Sequence, residues 1–168
     1  MTVYFLDTSA LVKRYHWERG SEAIDALFAE QNRRIIISDL SIIELGSALT
    51  KKIREGEITP EKYYRAPGFF CQDIVSETIA VEPLGEVDKA VAAELVEKYG
   101  FRASLRTLDS LQLAVMKRVA ENQLDQVLCA DRVFCSLIQQ EGLPVRNPER
   151  DHSVAEPDLG NGGAIDGV

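Results

Sequence analysis

Short runs of strand-forming residues alternate with longer helical segments along most of this chain. The runs cover residues 3–6, 34–37, 78–81, 127–130 and 143–145, and four of the five are almost wholly apolar. A strand that is apolar at successive positions is buried on both faces. Strands separated by helices pair in parallel through crossover connections. The alternation therefore predicts the α/β class: a three-layer α/β/α sandwich with a central parallel sheet. In such sheets ligands bind beyond the carboxyl ends of the strands, at the point where strand order reverses.

Helix signals fill the intervals. A segment starts near Ala10, breaks near Gly20 and resumes over 21–30. Ser38 or Ser41 offers a cap for a helix reaching about Arg54, and Gly56 closes it. Thr59-Pro60-Glu61 reads as N-cap, first position and first-turn acid of another helix, which Pro67-Gly68 should break or kink before it resumes to Ser76. Residues 85–99 are amphipathic, Thr107 caps 108–122, and 131–140 form a last short helix.

Residues 1–150 fit one domain large enough to bury a core. Residues 151–168 are rich in Gly and Asp, have few large apolar groups, and are expected to form a disordered tail. No apolar stretch approaches the ~20 residues that span a membrane, and the N-terminus lacks a basic leader. Three cysteines without metal spacing read as reduced thiols, so the expected location is the cytoplasm. Net charge is −8, and the segment before the tail holds 19 basic against 23 acidic residues, a net of −4. Nucleic-acid binders usually show a basic stripe, but divalent cations convert an acidic pocket into a phosphate site.

Four acids stand out. Asp7 and Asp131 each follow a predicted strand directly; Asp109 lies in the first turn after Thr107; Glu44 lies early in a helix that follows a strand. Glu44 is the only charge between Leu40 and Thr50, and Asp109 the only one between Thr107 and Val115. An isolated acid in a segment that looks buried is costly unless paired or bound to a cation. Hard oxygen ligands of this kind suit Mg²⁺ or Mn²⁺, and carboxylate-held divalent ions support phosphodiester hydrolysis.

Each acid also has a structural role open to it. Asp7, Asp109 and Asp131 can cap helices, Ser41-Ile42-Ile43-Glu44 matches a capping box, and Glu44 lies opposite the apolar stripe of Leu45 and Leu49, as a solvated charge would. Thr8 and Ser9 either hold Asp7 or a nearby water, or cap. Arg106 either contacts phosphate or is a solvated loop charge. Lys51, Lys52 and Arg54 read as a solvated helix face, His16 and Trp17 as loop residues, and Cys129 and Cys135 as buried small hydrophobes.

Four ordered segments resemble the acidic motifs of PIN-domain nucleases, most closely the VapC-type toxins of toxin–antitoxin pairs. They are Leu6-Asp7-Thr8-Ser9-Ala10-Leu11-Val12-Lys13, Ser41-Ile42-Ile43-Glu44-Leu45, residues 105–114 around Asp109, and Cys129-Ala130-Asp131-Arg132. The resemblance spans roughly residues 2–148. It implies a Mg²⁺- or Mn²⁺-dependent endoribonuclease with RNA as substrate, Asp7, Glu44, Asp109 and Asp131 as catalytic and metal-binding acids, and a cognate antitoxin protein as inhibitor. A homodimer is compatible with it. Cys129 stands where that family commonly has Thr or Ser, and Gln112 where many members have His. Two other readings are a PIN-like binding module without activity and a Mg²⁺-dependent phosphatase. The latter wants Asp-x-Asp after the first strand, where this chain has Asp7-Thr8-Ser9.

Overall fold

A computed structural model describes residues 1–150, so the expected tail over 151–168 lies outside the described residues. Five parallel strands form one sheet: β1 (Thr2–Leu6), β2 (Arg33–Ser38), β3 (Ile79–Glu82), β4 (Gln126–Leu128) and β5 (Val145–Arg146), in the order β3-β2-β1-β4-β5. The chain first builds outward from β1 through β2 to β3, then crosses back to lay β4 against the other side of β1. Strand order thus reverses between β1 and β4, and Asp7 leaves the sheet there with its N–H bonded to the Leu128 carbonyl at 2.9 Å.

The pleat sends successive side chains to opposite faces, and two cores result. On one face Tyr4, Leu6, Ile35 and Ile37 pack against α1 (Thr8–Tyr15), α2 (Ser21–Ala29), α3 (Leu40–Arg54) and α4 (Pro60–Val75). On the other, Val3, Phe5 and Ile36 meet α5 (Glu86–Tyr99), α6 (Thr107–Ala120) and α7 (Arg132–Gln140). This is the expected three-layer α/β/α sandwich. The chain returns to α2 at Pro148–Arg150: a side chain at Gly20, whose φ is +88°, would meet the Pro148 backbone at 3.0 Å. Only glycine combines that left-handed backbone with so close an approach.

Some local expectations fail for identifiable reasons. Pro67 does not break α4, which runs unbroken from Pro60 to Val75. Proline removes one helical hydrogen bond, but Ala66 and Phe70, four residues apart, are both buried and hold the two halves on one axis. Neither Ser38 nor Ser41 is the N-cap residue of α3; Asp39 takes that position. Ser38 Oγ still accepts from the Leu40 N–H at 3.2 Å, whereas Ser41 is buried inside the helix. The fourth strand ends at Leu128 rather than 130, because Ala130 turns its N–H to Ser9 Oγ at 2.8 Å. Among the described residues no helix is long and apolar enough to cross a membrane.

Candidate active site

At the β1–β4 reversal an open cleft of about 570 Å³ is lined by Asp7, Glu44, Asp109 and Asp131 together. The topology brings the four there separately. Asp7 extends β1 and caps α1, accepting the Ser9 N–H at 3.0 Å. Asp131 follows β4 and caps α7, accepting the Val133 and Phe134 N–H groups at 2.8 and 3.0 Å. Asp109 sits in the first turn of α6, where the helix dipole favours negative charge. Glu44 lies one turn into α3. Capping and lining the cleft are therefore not alternatives for Asp7 and Asp131. Each cap uses one carboxylate oxygen: Oδ2 in Asp7 and Oδ1 in Asp131.

Glu44 is neither a solvated charge nor half of a capping box. Its Oε2 accepts from Thr8 Oγ1 at 2.8 Å and from Gln112 Nε2 at 2.5 Å. Gln112 is buried and donates also to Thr8 Oγ1 at 3.1 Å, while its own Oε1 finds no partner among the described residues. A buried amide left half-satisfied costs free energy, so its orientation is set by the carboxylate it holds. In the sequence this glutamine stands out only as a departure from histidine; in the fold its effect is to fix Glu44. Ser9 plays the matching part for Asp7. Its hydroxyl lies 2.5 Å from Asp7 Oδ2 and accepts the Ala130 and Asp131 N–H groups at 2.8 and 3.3 Å, lashing the end of β1 to the turn after β4. Cys129 is more than a small hydrophobe: its Sγ lies 3.6 Å from Asp7 Oδ2 and 3.7 Å from Ser9 Oγ. Cys135 is only partly buried.

The acids perturb one another. Burial raises Asp7 above the usual carboxylate range, against the hydrogen bonds from Ser9. Burial also raises Glu44, helped by the charge of Asp7 and opposed by Thr8 and Gln112. Asp109 is pushed up to about 6 by burial and by the charges of Asp7 and Asp131, with Arg106 pulling the other way. Like charges held together in a half-buried cleft call for a cation, and among the described residues none of these four acids forms a salt bridge within 4.0 Å.

The donor set fits a hard divalent ion. The ligand oxygens of no three of these acids lie within 4.8 Å of one another. That spread suits Mg²⁺, which keeps several waters and binds directly to only one or two carboxylates. The trio that does close within 4.8 Å is His16, Glu18 and Glu57. Two ammonium groups already neutralise it: Lys52 Nζ bridges Glu18 and Glu57 at 2.5 and 2.7 Å, and Lys13 Nζ reaches Glu18 at 2.7 Å. The basic cluster on α3 thus divides. Lys52 turns away into this network, whereas Lys51 and Arg54 line the acidic cleft with Arg106.

Replacing Gln112 with Leu removes a donor from Glu44 and keeps the volume apolar. Groups that orient a metal ligand typically contribute 10–100-fold to metal affinity or activity. Gln112→Leu is therefore expected to weaken Mn²⁺ binding about tenfold or more in calorimetry while the protein stays folded. Unchanged affinity would reduce Gln112 to packing.

A parallel α/β/α domain thus carries an acid-floored, basic-rimmed cleft at its strand reversal. Comparison with known proteins narrows the class. The sequence profile of the PIN domain matches residues 4–138, and this chain belongs to the PIN domain family. Solved structures share its fold. FitAcB from Neisseria gonorrhoeae superposes with a TM-score of 0.63 at 16% identity, covering 88% of this chain and 99% of that one. VapC20 from Mycobacterium tuberculosis, described as a Sarcin-Ricin loop cleaving toxin, gives 0.62 at 17% identity, covering 83% and 95%. VapBC2 from Rickettsia felis, bound to a promoter DNA fragment, gives 0.56 at 18%, covering 87% and 98%. No curated protein matches by sequence.

Proposed function

We propose that this protein is a metal-dependent endoribonuclease and the toxin of a toxin–antitoxin pair, with Asp7, Glu44, Asp109 and Asp131 as its catalytic acids. The observation that carries this is the cleft itself: four carboxylates from four different elements, rimmed by Lys51, Arg54 and Arg106. The family and its toxin-like structural neighbours agree with it.

The chain's own residues supply position and charge. Asp7, Glu44, Asp109 and Asp131 would hold Mg²⁺ or Mn²⁺. Such an ion lowers the pKa of water and stabilises charge on phosphoryl oxygens. Ser9 and Cys129 keep Asp7 aligned, and Thr8 with Gln112 keeps Glu44 aligned. Arg106, beside Asp109, and the pair Lys51 and Arg54 are placed to contact RNA phosphates at the rim. A phosphatase of the Asp-x-Asp type is disfavoured, because Ser9 occupies the second position and spends its hydroxyl on Asp7 and the 129–131 turn.

An antitoxin would meet two features. The acidic floor attracts an Arg side chain, and an apolar groove between α1 and α4 presents Trp17 and Phe69, 66% and 60% exposed. The test is cleavage of a structured RNA by purified protein with Mg²⁺ or Mn²⁺. Cleavage that stops in excess EDTA and is missing from Asp7→Asn supports the reading. Undiminished cleavage in EDTA, or none with either metal, refutes it; the latter leaves a PIN-domain binding module.

A further inference from the structure

A second cavity, of about 440 Å³, lies on the other side of α7 from the acidic cleft. The first turns of α7 form the wall between them. Asp131 and Phe134 face the cleft, while Arg132, Cys135 and Ser136 face the second cavity. Arg146 and Arg150 complete its lining, so three arginines share one pocket, and no carboxylate lines it among the described residues.

That composition is unusual in this chain. Net charge is −8, and many of the basic side chains are spent on ion pairs: Lys13 and Lys52 with Glu18, Lys117 with Glu141, Arg118 with Asp88. Arg132 and Arg150 form no ion pair among the described residues. The charges of Arg132 and Arg150 repel one another, and an anion between them relieves the repulsion. Guanidinium groups present planar donor forks that match phosphate oxygens.

The pocket is also fixed relative to the acids. Asn147, at its edge, donates from Nδ2 to the Ala130 carbonyl at 3.0 Å and accepts the Glu149 N–H on Oδ1 at 2.9 Å. Ala130 and Asp131 are in turn held by Ser9, which holds Asp7. Through these bonds Arg146 and Arg150, on either side of Asn147, are held at a set position from the cleft floor.

We infer that this pocket is a phosphate-binding subsite for the RNA strand. A strand whose scissile phosphate lies over the four acids would run across the N-terminus of α7 and seat a neighbouring phosphate among Arg132, Arg146 and Arg150. Lys51 and Arg54 take the strand on the opposite rim. The acidic floor then acts between two basic banks, which explains how a chain of net negative charge engages a polyanion. This inference rests on the endoribonuclease reading.

Binding, separated from cleavage, tests it. Affinity of the Asp7→Asn protein for a fluorescent single-stranded RNA is measured by anisotropy over a series of salt concentrations, and compared with the same protein carrying R132Q and R150Q. Each phosphate contact on single-stranded nucleic acid contributes about −0.7 to the slope of log affinity against log salt. Losing two contacts should therefore flatten the slope by about 1.4 and weaken binding severalfold or more at low salt. If the double variant melts early, R132Q alone carries the test with an expected change of about 0.7. An unchanged slope and affinity, or a parent protein that binds no RNA, overturns the subsite. So does a double variant that binds RNA normally. Failure of the wild-type protein to cleave RNA with either metal is a different result and strikes the endoribonuclease reading itself.

Discussion

Replacement of Asp7 by Asn is expected to abolish RNA cleavage and at the same time raise the melting temperature of the metal-free protein. The two effects have one cause. Asp7 is 6% exposed and its carboxylate is held above its ordinary pKa by burial. Its charge also raises Glu44 and Asp109. Asparagine keeps the shape and, being as good an N-cap as aspartate, still accepts the Ser9 N–H, but removes the buried charge. Relief of about 1 kcal/mol raises Tm by about 2–4 °C in a domain of this size. Activity should fall by at least about 10²–10³-fold, the scale for losing one preorganised electrostatic group. A site residue that costs stability and is needed for activity shows this pairing; a merely structural cap does not. Scanning calorimetry and a single-turnover assay on the same preparation check it. A variant that is both less stable and active would place Asp7 among the helix caps and nothing more.

Stability should also depend on pH in a direction set by the cleft and reversed by metal. Asp7, Glu44 and Asp109 all have folded-state pKa values above their ordinary ones, Asp109 at about 6. The folded protein therefore holds protons that the unfolded chain has already released. Their contribution is fully present below the ordinary carboxylate values and is lost as pH rises through the folded ones, which for Asp109 means about 6. Glu141 behaves oppositely. Burial alone would raise it, but Lys117, Lys98 and Tyr99 outweigh burial and hold it down to about 2, so its contribution is present above its ordinary value of 4.5 and fades in acid. Between pH 5 and 7 the three raised site acids outnumber His16, whose pKa burial lowers and which therefore opposes them, and the metal-free protein should melt higher at pH 5 than at pH 7. Mg²⁺ or Mn²⁺ at 100 times its dissociation constant adds about 2.7 kcal/mol at pH 7 and should flatten or invert that slope. Melting curves at pH 5, 6 and 7, with and without metal, decide the matter. A metal-free Tm that climbs with pH, together with no response to either ion, would contradict it.

The fold was legible because strand burial and helix periodicity are local properties. Val3-Tyr4-Phe5-Leu6 is apolar at every position since both faces of β1 meet a core, with Tyr4 and Leu6 on one side and Val3 and Phe5 on the other. The convergence of the acids followed from their position at strand ends and in early helix turns, which the sheet order turns into proximity. What stayed hidden depends on contacts distant in sequence. Nothing around Glu44 indicates that Gln112, 68 positions on, holds it. Spacing gives Lys51, Lys52 and Arg54 one helix face, yet Lys52 turns to Glu18 and Glu57 while the other two turn to the cleft. Pro67 misled because proline weighs against a helix locally, while the packing of Ala66 and Phe70 that overrides it is tertiary. The arginine pocket at Arg132, Arg146 and Arg150 gathers residues that in sequence look like scattered surface charges.

The location of a bound cation tests the central claim most directly. Crystals grown with Mn²⁺ and measured for its anomalous scattering should show the ion in the β1–β4 cleft, coordinated by Asp7 with Asp109 or Asp131, and Asp7→Asn should empty that position. The chain offers a built-in competitor in His16, Glu18 and Glu57, whose ligand atoms lie closer together than those of the cleft acids. Lys13 and Lys52 already neutralise that trio, so it should hold no manganese. An ion found there, with the acidic cleft vacant at the same manganese concentration, would contradict the assignment of Asp7, Glu44, Asp109 and Asp131 as the metal-binding acids.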